Sequence, residues 1–170
     1  NRRVIEDMIP KVTIIIPCYN SEKFVAECVL SAVTQSYENV EIIAVDNEST
    51  DNTMLLLRAM EEHHDNLIVS TAKNIYPNCW DEAREEGYNL MTGDYVTVIG
   101  SDDLIERDYI KNCMEIIQKS KGTIKAFQSI AMGFRDHPQG KVRTGLIEYR
   151  YENREQFMKQ SLERCVVNSP

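Results

Sequence analysis

The stretch Val12-Thr13-Ile14-Ile15-Ile16-Pro17 (VTIIIP) decides the fold of this chain. The residues before the proline are all β-branched and leave no polar face, which is typical of a strand buried on both sides of a sheet. We expect the strand to stop at Pro17, because proline has no N–H to donate to a neighbouring strand. Apolar residues at helical spacing then predict a helix over residues 21–36, capped by Asn20 or Ser21. The apolar stripe of this helix comprises Phe24, Val25, Cys28, Val29, Ala32 and Val33.

The alternation of strand and helix patterns continues along the chain. Further strands are predicted at residues 40–45, 67–70, 95–99 and 124–134. Further helices are predicted at residues 51–64, 78–91, 106–120 and 152–164. Strands that are joined by helical crossovers are usually parallel, with helices on both faces of the sheet. The predicted fold class is therefore α/β, with a Rossmann-like, mostly parallel sheet.

Composition and charge exclude several classes of protein. An apolar fraction of 42% and a charged fraction of 27% in 170 residues are ordinary for a globular domain and not for a disordered or coiled-coil chain. No apolar run approaches the roughly 20 residues that a membrane span needs. The net charge of −8 argues against nucleic acid as a partner, because a phosphate backbone demands a basic face.

The cysteines indicate a reducing compartment. They are odd in number, form no CxxC pair and do not lie at zinc-site spacing from the histidines. We interpret them as buried or half-buried thiols and, since no secretory signal precedes them, we expect a cytoplasmic protein. The cysteines are Cys18, Cys28, Cys79, Cys113 and Cys165.

Polar and acidic segments follow three of the predicted strands, at the sheet edge where open parallel α/β sheets bind ligands. Acids that cluster at one edge repel one another, so folding alone does not explain them. We therefore expect a ligand that carries positive charge or hydrogen-bond donors. The segments are Pro17-Cys18-Tyr19-Asn20, Asp46-Asn47-Glu48-Ser49-Thr50-Asp51 and Gly100-Ser101-Asp102-Asp103.

Asp102 and Asp103 form the sharpest candidate site. Hard carboxylate oxygens suit Mg²⁺ or Mn²⁺, which usually keep several waters and share the phosphates of a substrate. An acidic chain with no evident basic clamp would need such an ion to hold a diphosphate. The alternative is that one of these aspartates caps a helix that begins after Leu104.

The other two segments offer groups that suit a nucleoside. Tyr19 can stack on a base and Asn20 can bond to the base or the ribose, or they serve as a core-edge residue and a helix cap. Asp46 and Asn47 can read the imide edge of a pyrimidine, or Asp46 braces its own loop. For Ser49, Thr50 and Asp51 we favour structural roles, with Asp51 capping the next helix.

Two residues of the predicted helix at 78–91 have open interpretations. Arg84 contacts a base or phosphate, or it forms an exposed ion pair of little energy with a nearby glutamate. For Trp80 we favour a packing role over a sugar-stacking platform, and an acceptor-side platform is the alternative.

Together these segments resemble a family-2 glycosyltransferase with the GT-A fold, over about residues 11–120. The resemblance is carried by residues 12–20, 43–51, 83–87, 93–95 and 101–103. It implies a nucleotide-sugar donor, a UDP- or TDP-sugar, and a divalent ion, Mn²⁺ or Mg²⁺. It also implies inverting transfer to a hydroxyl of a carbohydrate or glycolipid acceptor, and a glycolipid would bring the protein to the inner face of the membrane.

The resemblance also assigns roles to single residues. It places Pro17, Tyr19 and Asn20 in the nucleoside pocket, and Asp46 and Asn47 at the base, where Asn47 stands in for a commoner Asp. Arg84 would lie near the base or the phosphates. Ser101 and Asp102 would contact the nucleotide, with Asp102 on the ribose. Asp103, together with Asp102, would bind the metal.

Besides Asn47, three positions depart from the family pattern: Glu48 for Gly, Glu85 for Asn, and Gly100 for the first Asp of D-x-D-D. They favour the alternative of a non-catalytic nucleotide- or sugar-binding module. The acidic motif that carries the family's catalytic base has no match in residues 119–170. We expect a lead-in at 1–10, a nucleotide-sugar-binding half at 11–105 and an incomplete acceptor half at 106–170, with the base beyond Pro170.

Overall fold

A four-stranded parallel sheet is the centre of the first of the two units into which the chain divides, Asn1–Met114 and Glu115–Pro170. This computed structural model describes residues 9–75 and 80–121, and the backbone of 128–129 and 146–147. The strands of the sheet are β1 (Val12–Cys18), β2 (Val40–Asp46), β3 (Leu67–Thr71) and β4 (Tyr95–Val98). The helices are α1 (Val25–Val33), α2 (Thr53–Glu61), α3 (Asp81–Leu90) and α4 (Tyr109–Lys119).

The spatial order of the strands, β3-β2-β1-β4, creates the crevice in which a ligand can bind. The chain steps outward from β1 to β3 and then returns past β1 to add β4 on the other side. Because such crossovers are right-handed, α1 and α2 cover one face of the sheet and α3 covers the other. Ligands bind where the direction of winding reverses, which here is beyond the carboxyl ends of β1 and β4.

The two central strands are buried along their whole length. Every residue of β1 and of β2 is buried, and the two strands pair in register from Val12–Val40 to Cys18–Asp46. The prediction of a central strand covered on both faces is confirmed. In the second unit, β5 (Gln128–Ser129) and β6 (Leu146–Ile147) pair antiparallel.

The prediction that Pro17 stops the first strand is wrong. Pairing with β2 continues to Cys18, whereas pairing with β4 ends at Ile15 and Val98. Along β1 the backbone groups point alternately to the two neighbours, and Ile15 O accepts from Ile99 N on the β4 side. The missing N–H of Pro17 would also point toward β4. Proline therefore ends one ladder and leaves the other intact.

The helices are shorter than predicted. Residues 21–24 form a turn in which Ser21 O accepts from both Phe24 N and Val25 N at 2.9 Å, so α1 begins at Val25 without a side-chain cap. The predicted caps Asn20 and Ser21 are therefore wrong. Asp51 does bond to the first residue of α2, where its Oδ1 accepts from Thr53 N at 2.9 Å. None of the described helices is both long and apolar enough to cross a membrane.

Several predictions fall outside the described residues. They comprise Cys79, Cys165, the helix at 152–164 and most of the strand at 124–134. The remaining cysteines, Cys18, Cys28 and Cys113, are buried free thiols, as predicted.

A buried carboxylate holds the amino-terminal edge of the sheet together. Glu41, on β2, accepts hydrogen bonds from Thr13 Oγ1, Thr92 N and Thr92 Oγ1, each at 2.6 Å, and from Gly93 N at 3.1 Å. Lys11 Nζ forms an ion pair with it at 2.5 Å. Burial raises the pKa of Glu41, but these bonds outweigh burial and lower the pKa to about 2. The carboxylate thus joins β1, β2 and the turn before β4.

Candidate functional site

One cavity of about 320 Å³ lies at the opposite edge of the sheet, beyond the carboxyl ends of the strands. Its volume falls at the lower end of the range for ligand pockets, roughly 300–1,000 Å³. Six of the predicted site residues line it: Pro17, Tyr19, Asn20, Asn47, Ser101 and Asp102. The lining is completed by Cys18, Ser21, Phe24, Trp80, Ala83 and Gly100. The segments after β1, β2 and β4 therefore meet, as predicted from their positions.

The segment after β1 contains an exposed aromatic ring and an amide whose oxygen is hydrogen-bonded within the fold. Tyr19 lines the cavity and is 36% exposed. Asn20 has φ of 48°, a conformation that asparagine tolerates better than most residues. Its Oδ1 accepts from Thr50 N at 2.8 Å and from Thr50 Oγ1 at 3.2 Å, and its N–H donates to Ser49 Oγ at 2.9 Å. The Asn20 amide oxygen therefore holds two loops together.

The segment after β2 contains a buried carboxylate with one unused oxygen. Asp46 Oδ2 accepts from Ser49 N at 3.1 Å, which confirms that this side chain braces its own loop. Asp46 Oδ1 is buried and has no hydrogen-bond partner among the described residues. Leaving such an acceptor unpaired costs about 1–3 kcal/mol, which a donor from a ligand would recover. Next to it, Asn47 is buried, and its N–H donates to Cys18 O at 2.8 Å.

The segment after β4 brings two carboxylates over a glycine. Asp103 N donates to Gly100 O at 3.0 Å and closes a tight turn. A Cβ on Gly100 would lie 2.9 Å from Asp102 Oδ1 and 3.0 Å from Asp103 Oδ2, so both oxygens approach one point. The side chains of Asp102 and Asp103 are otherwise exposed. The helix-cap alternative is wrong, because the next helix begins only at Tyr109.

These two carboxylates fit a divalent cation that is shared with a ligand. Within residues 9–75 and 80–121, no three or more His, Cys, Asp or Glu side chains form a group that could hold a metal. Two hard oxygen ligands at one point suit Mg²⁺ or Mn²⁺, which take their remaining ligands from water and phosphate. Because Gly100 has no side chain, the space next to its Cα is left open, and the oxygens of both carboxylates lie beside this space.

Helix α1 holds the start of residues 100–103, the acidic turn, through a thiol. Cys28 Sγ donates to Gly100 O at 3.3 Å, and the hydroxyls of Ser21 and Ser101 lie 2.6 Å apart. Burial raises the pKa of Cys28 to about 12, with the charges of Asp103 and Asp102 adding to the effect. The thiol therefore keeps its proton and serves as a hydrogen-bond donor.

The same helix also holds the irregular segment that follows the turn. Ser31 Oγ accepts from Ile105 N at 3.1 Å. Gln35, just beyond α1, donates from Nε2 to Glu106 O at 2.8 Å and accepts at Oε1 from Ile110 N at 3.1 Å. Side chains of one helix region thus satisfy the backbone of residues 100–110, which have little regular structure of their own before α4.

The model of the family described as "Glycosyl transferase family 2" matches residues 13–167. The chain belongs to this family. The resemblance that was predicted from its motifs is confirmed, as is the α/β fold of the GT-A type.

Three relatives illustrate the match of this family-2 chain. Glycosyltransferase GlyA of Streptococcus pneumoniae is 34% identical over 114 residues, which are 67% of this chain and 16% of GlyA. The crystal structure of S. aureus TarS 1-349 with UDP-GlcNAc has a TM-score of 0.62 and 26% identity, over 76% of this chain and 37% of that one. Mannosyltransferase PcManGT from Pyrobaculum calidifontis, with GDP-Man and Mn²⁺, has a TM-score of 0.55 and 25% identity, over 68% and 37% of the two chains. The chain therefore spans less than two fifths of each relative.

Three predicted site residues of the family-2 chain are not part of the cavity lining: Asp46, Arg84 and Asp103. Arg84 is partly exposed and forms an ion pair with Asp81, one turn earlier on α3. This agrees with the exposed ion-pair interpretation, except that the partner is an aspartate and not a glutamate. Asp103 stands next to the lining residue Asp102, with its carboxylate over Gly100.

Two aromatic residues in the lining differ from the predictions made from the sequence. The sequence predicts Phe24 in the apolar stripe of α1, but Phe24 precedes the helix and is 55% exposed. It favours a packing role for Trp80, but Trp80 is 58% exposed at the start of α3. The position of Phe24 could have indicated its exposure. It is the first residue of the apolar stripe, and a helix that begins one residue later leaves it outside the helix.

Proposed function

We propose that this chain forms the donor-binding part of a glycosyltransferase that moves a sugar from a UDP- or TDP-sugar to a hydroxyl of a carbohydrate or glycolipid acceptor. The transfer inverts the anomeric carbon, because the acceptor oxygen attacks from the side opposite the departing diphosphate. The free thiols suit the reducing cytoplasm. A lipid-linked acceptor would bring the protein to the membrane surface.

The observation that carries the proposal is the meeting of three strand ends in one cavity with two carboxylates at one side. A nucleotide diphosphate has a base, a ribose and two phosphates, and each needs a different kind of partner. The cavity offers an aromatic ring at Tyr19, an amide at Asn47 and acidic oxygens at Asp102. Asp46, whose buried Oδ1 lacks a partner among the described residues, precedes the lining residue Asn47. This arrangement of groups matches the three parts of a nucleotide.

The base and ribose are assigned to the side chains of β1 and β2. Tyr19 is exposed and would stack on the base. Asp46 Oδ1, which lacks a partner among the described residues, would accept the imide N–H of uracil or thymine, with Asn47 beside it. Ser101 and Asp102, which line the same cavity, would bond to the ribose hydroxyls. Arg84 would need to leave Asp81 before it reached a phosphate.

Asp103, with Asp102, would hold Mn²⁺ or Mg²⁺. Family members generally depend on a divalent metal, and PcManGT binds Mn²⁺ together with GDP-Man. When bound, such an ion supplies positive charge to the leaving diphosphate. The chain itself carries a net charge of −8 and pairs Arg84 with an aspartate, so its own side chains offer little compensation. The acidic turn fixed by α1 would keep both carboxylates in place.

Calorimetric titration of UDP, TDP and GDP, each with and without Mn²⁺, tests the proposal. We expect the pyrimidine nucleotides to bind, with Mn²⁺ tightening binding by about tenfold or more, which is about 1.4 kcal/mol. Asp103→Asn should remove the Mn²⁺ effect, whereas the exposed control Asp65→Asn should retain it. Failure of both pyrimidine nucleotides to bind, or an unchanged Mn²⁺ effect in Asp103→Asn, would overturn the proposal.

A second function is favoured by the absence of a side chain at Gly100. With Gly in place of an acid, the turn offers two carboxylates, which suits nucleotide binding without turnover. Incubating the intact protein with a radiolabelled UDP-sugar and Mn²⁺ separates the two functions. Release or transfer of the sugar supports the enzyme. Tight binding with the donor recovered intact supports the binding module.

A further inference from the structure

Three aromatic side chains converge on the cavity and remain uncovered. Tyr19, Phe24 and Trp80 all line it, and each keeps more than a third of its surface exposed. Single exposed apolar residues are ordinary on a protein surface. Three that line one cavity form a patch, and such a patch at a cleft is typical of a ligand-binding surface.

Trp80 stands on the β2 side of this cavity. It lies directly before Asp81, the first residue of α3, and its C=O accepts from Arg84 N at 2.9 Å. Ala83, three residues later and thus on the same face of the helix, is buried against Ile43 and Val45 of β2. Asn47 follows Val45 by two residues and lines the same cavity. Trp80 is therefore placed toward the end of β2, and the acidic turn follows β4 on the other side of β1.

We propose that Trp80 is a stacking platform for the pyrimidine base of the donor nucleotide. The inference rests on the proposed function and adds a residue that determines base binding from the α3 side. The indole offers a large flat face with little conformational freedom to lose. Stacking on it would cover the exposed ring and would tolerate either uracil or thymine, because every base has a π face.

The single tryptophan of the chain makes the test direct. Intrinsic fluorescence excited at the indole reports on Trp80 alone, since it is the only tryptophan in the sequence. We expect quenching by uridine as well as by UDP with Mn²⁺, and none by ribose 5-phosphate, pyrophosphate or N-acetylglucosamine. Quenching that required the sugar of UDP-N-acetylglucosamine would overturn the base assignment, as would no change at saturating UDP.

Matched variants give a second readout by calorimetry. Trp80→Leu should weaken UDP binding by about tenfold, and Trp80→Phe should restore most of the affinity because a flat ring remains. Tyr88→Leu, at an exposed aromatic residue of α3 that does not line the cavity, should leave UDP affinity within about twofold. Equal affinity in wild type and Trp80→Leu would overturn the inference.

The proposed function and the role of Trp80 can be disproved separately. If wild type binds neither UDP nor TDP in calorimetry, the proposed function is wrong, and the inference about Trp80 is wrong as well. If wild type binds UDP with Mn²⁺ and Asp103→Asn abolishes the metal effect, while both Trp80 variants bind like wild type, only the platform is wrong. Circular dichroism of Trp80→Leu checks that the exposed substitution leaves the fold intact.

Discussion

Glu41 and Asp46 lie at opposite ends of the same strand, and their carboxylates are used in opposite ways. Glu41, at the start of β2, is surrounded by donors from Thr13, Thr92 and Gly93 and by the ammonium of Lys11. Asp46, at the end of β2, accepts one backbone bond and keeps one buried oxygen without a partner among the described residues. Both side chains are buried, so exposure does not distinguish them.

The difference separates acids whose oxygens the fold uses from acids that keep an oxygen available. A carboxylate with every lone pair satisfied by its own chain stabilises the fold and has nothing left for a ligand. A carboxylate with an open oxygen, or one that lies exposed over a glycine as in the Asp102–Asp103 turn, retains binding capacity. In this sheet the amino-terminal edge carries the first kind and the carboxyl-terminal edge carries the second.

The largest effect should follow from breaking the saturated carboxylate. Glu41→Gln removes the charge that Lys11 pairs with and places an NH₂ group among donors, so we expect a loss of about 3–5 kcal/mol in the free energy of unfolding. Urea denaturation followed by circular dichroism measures it. The exposed control Glu62→Gln should change stability by less than about 0.5 kcal/mol. Equal denaturation midpoints for Glu41→Gln and wild type would contradict the structural role.

Acid should remove the same stabilisation. The pKa of Glu41 is lowered by folding from 4.5 to about 2, so the folded state favours the ionised form. The contribution, about 3 kcal/mol, is fully present above pH 4.5 and is lost as the pH falls toward 2. Stability measured across this range should fall more steeply for wild type than for Glu41→Gln. If the stability of the two proteins depended on pH in the same way, the ionised Glu41 carboxylate would not be the source of this stabilisation.

Two glycines sharpen the contrast between the edges. A Cβ on Gly93 would lie 2.8 Å from Thr13 N and 3.0 Å from Lys11 O, both backbone atoms that cannot move aside, so Gly93→Ala should destabilise by about 2 kcal/mol. The three atoms nearest to a Cβ on Gly100 all belong to the side-chain carboxylates of Asp102 and Asp103. Gly100→Ala should therefore unfold like wild type but weaken Mn²⁺-dependent UDP binding. Thermal unfolding should show a loss of stability only for Gly93→Ala, and calorimetry should show weaker Mn²⁺-dependent UDP binding for Gly100→Ala.

Removing the hydrogen bonds between Gln35, just beyond α1, and the segment that follows the acidic turn should have a moderate effect. Gln35→Ala removes bonds to Glu106 O and Ile110 N, and we expect a loss of about 1–2 kcal/mol in stability. Because residues 100–110 position the carboxylates, Mn²⁺ affinity in the presence of UDP should fall as well. Uridine binding, measured by fluorescence, should not change. Loss of uridine and Mn²⁺ binding together would indicate general unfolding instead.

The smallest effect is expected at Glu48, which has φ of 56° where the family usually has glycine. The loop keeps the left-handed turn despite the side chain, and Glu48 Oε2 accepts from Asn74 N at 3.1 Å. Glu48→Gly relieves strain but loses this bond and adds freedom to the unfolded chain. We expect stability within about 1 kcal/mol of wild type, measured by urea denaturation. A larger loss would show that the Asn74 bond holds the loop.

Local patterns in the sequence predicted the elements but not their ends. The β-branched runs of β1 and β2 and the helix-length crossovers suffice for an α/β sheet, because burial on both faces demands them. The start of α1 and the role of Pro17 depend on which neighbours the backbone meets. Ser21 O serves two donors in a turn, and Pro17 faces the side where β4 has ended.

The sequence by itself determined that three polar segments, including Asp46 and Asp102–Asp103, come to one sheet edge, because parallel strands of alternating βα units end on the same side. Only the tertiary structure decided which side chains remain available there. Asn20 Oδ1 accepts a hydrogen bond from Thr50 N, thirty residues away, whereas Trp80 is left uncovered. A side chain can bind a ligand only with atoms that the folded chain has not used, and those partners are set by contacts distant in sequence.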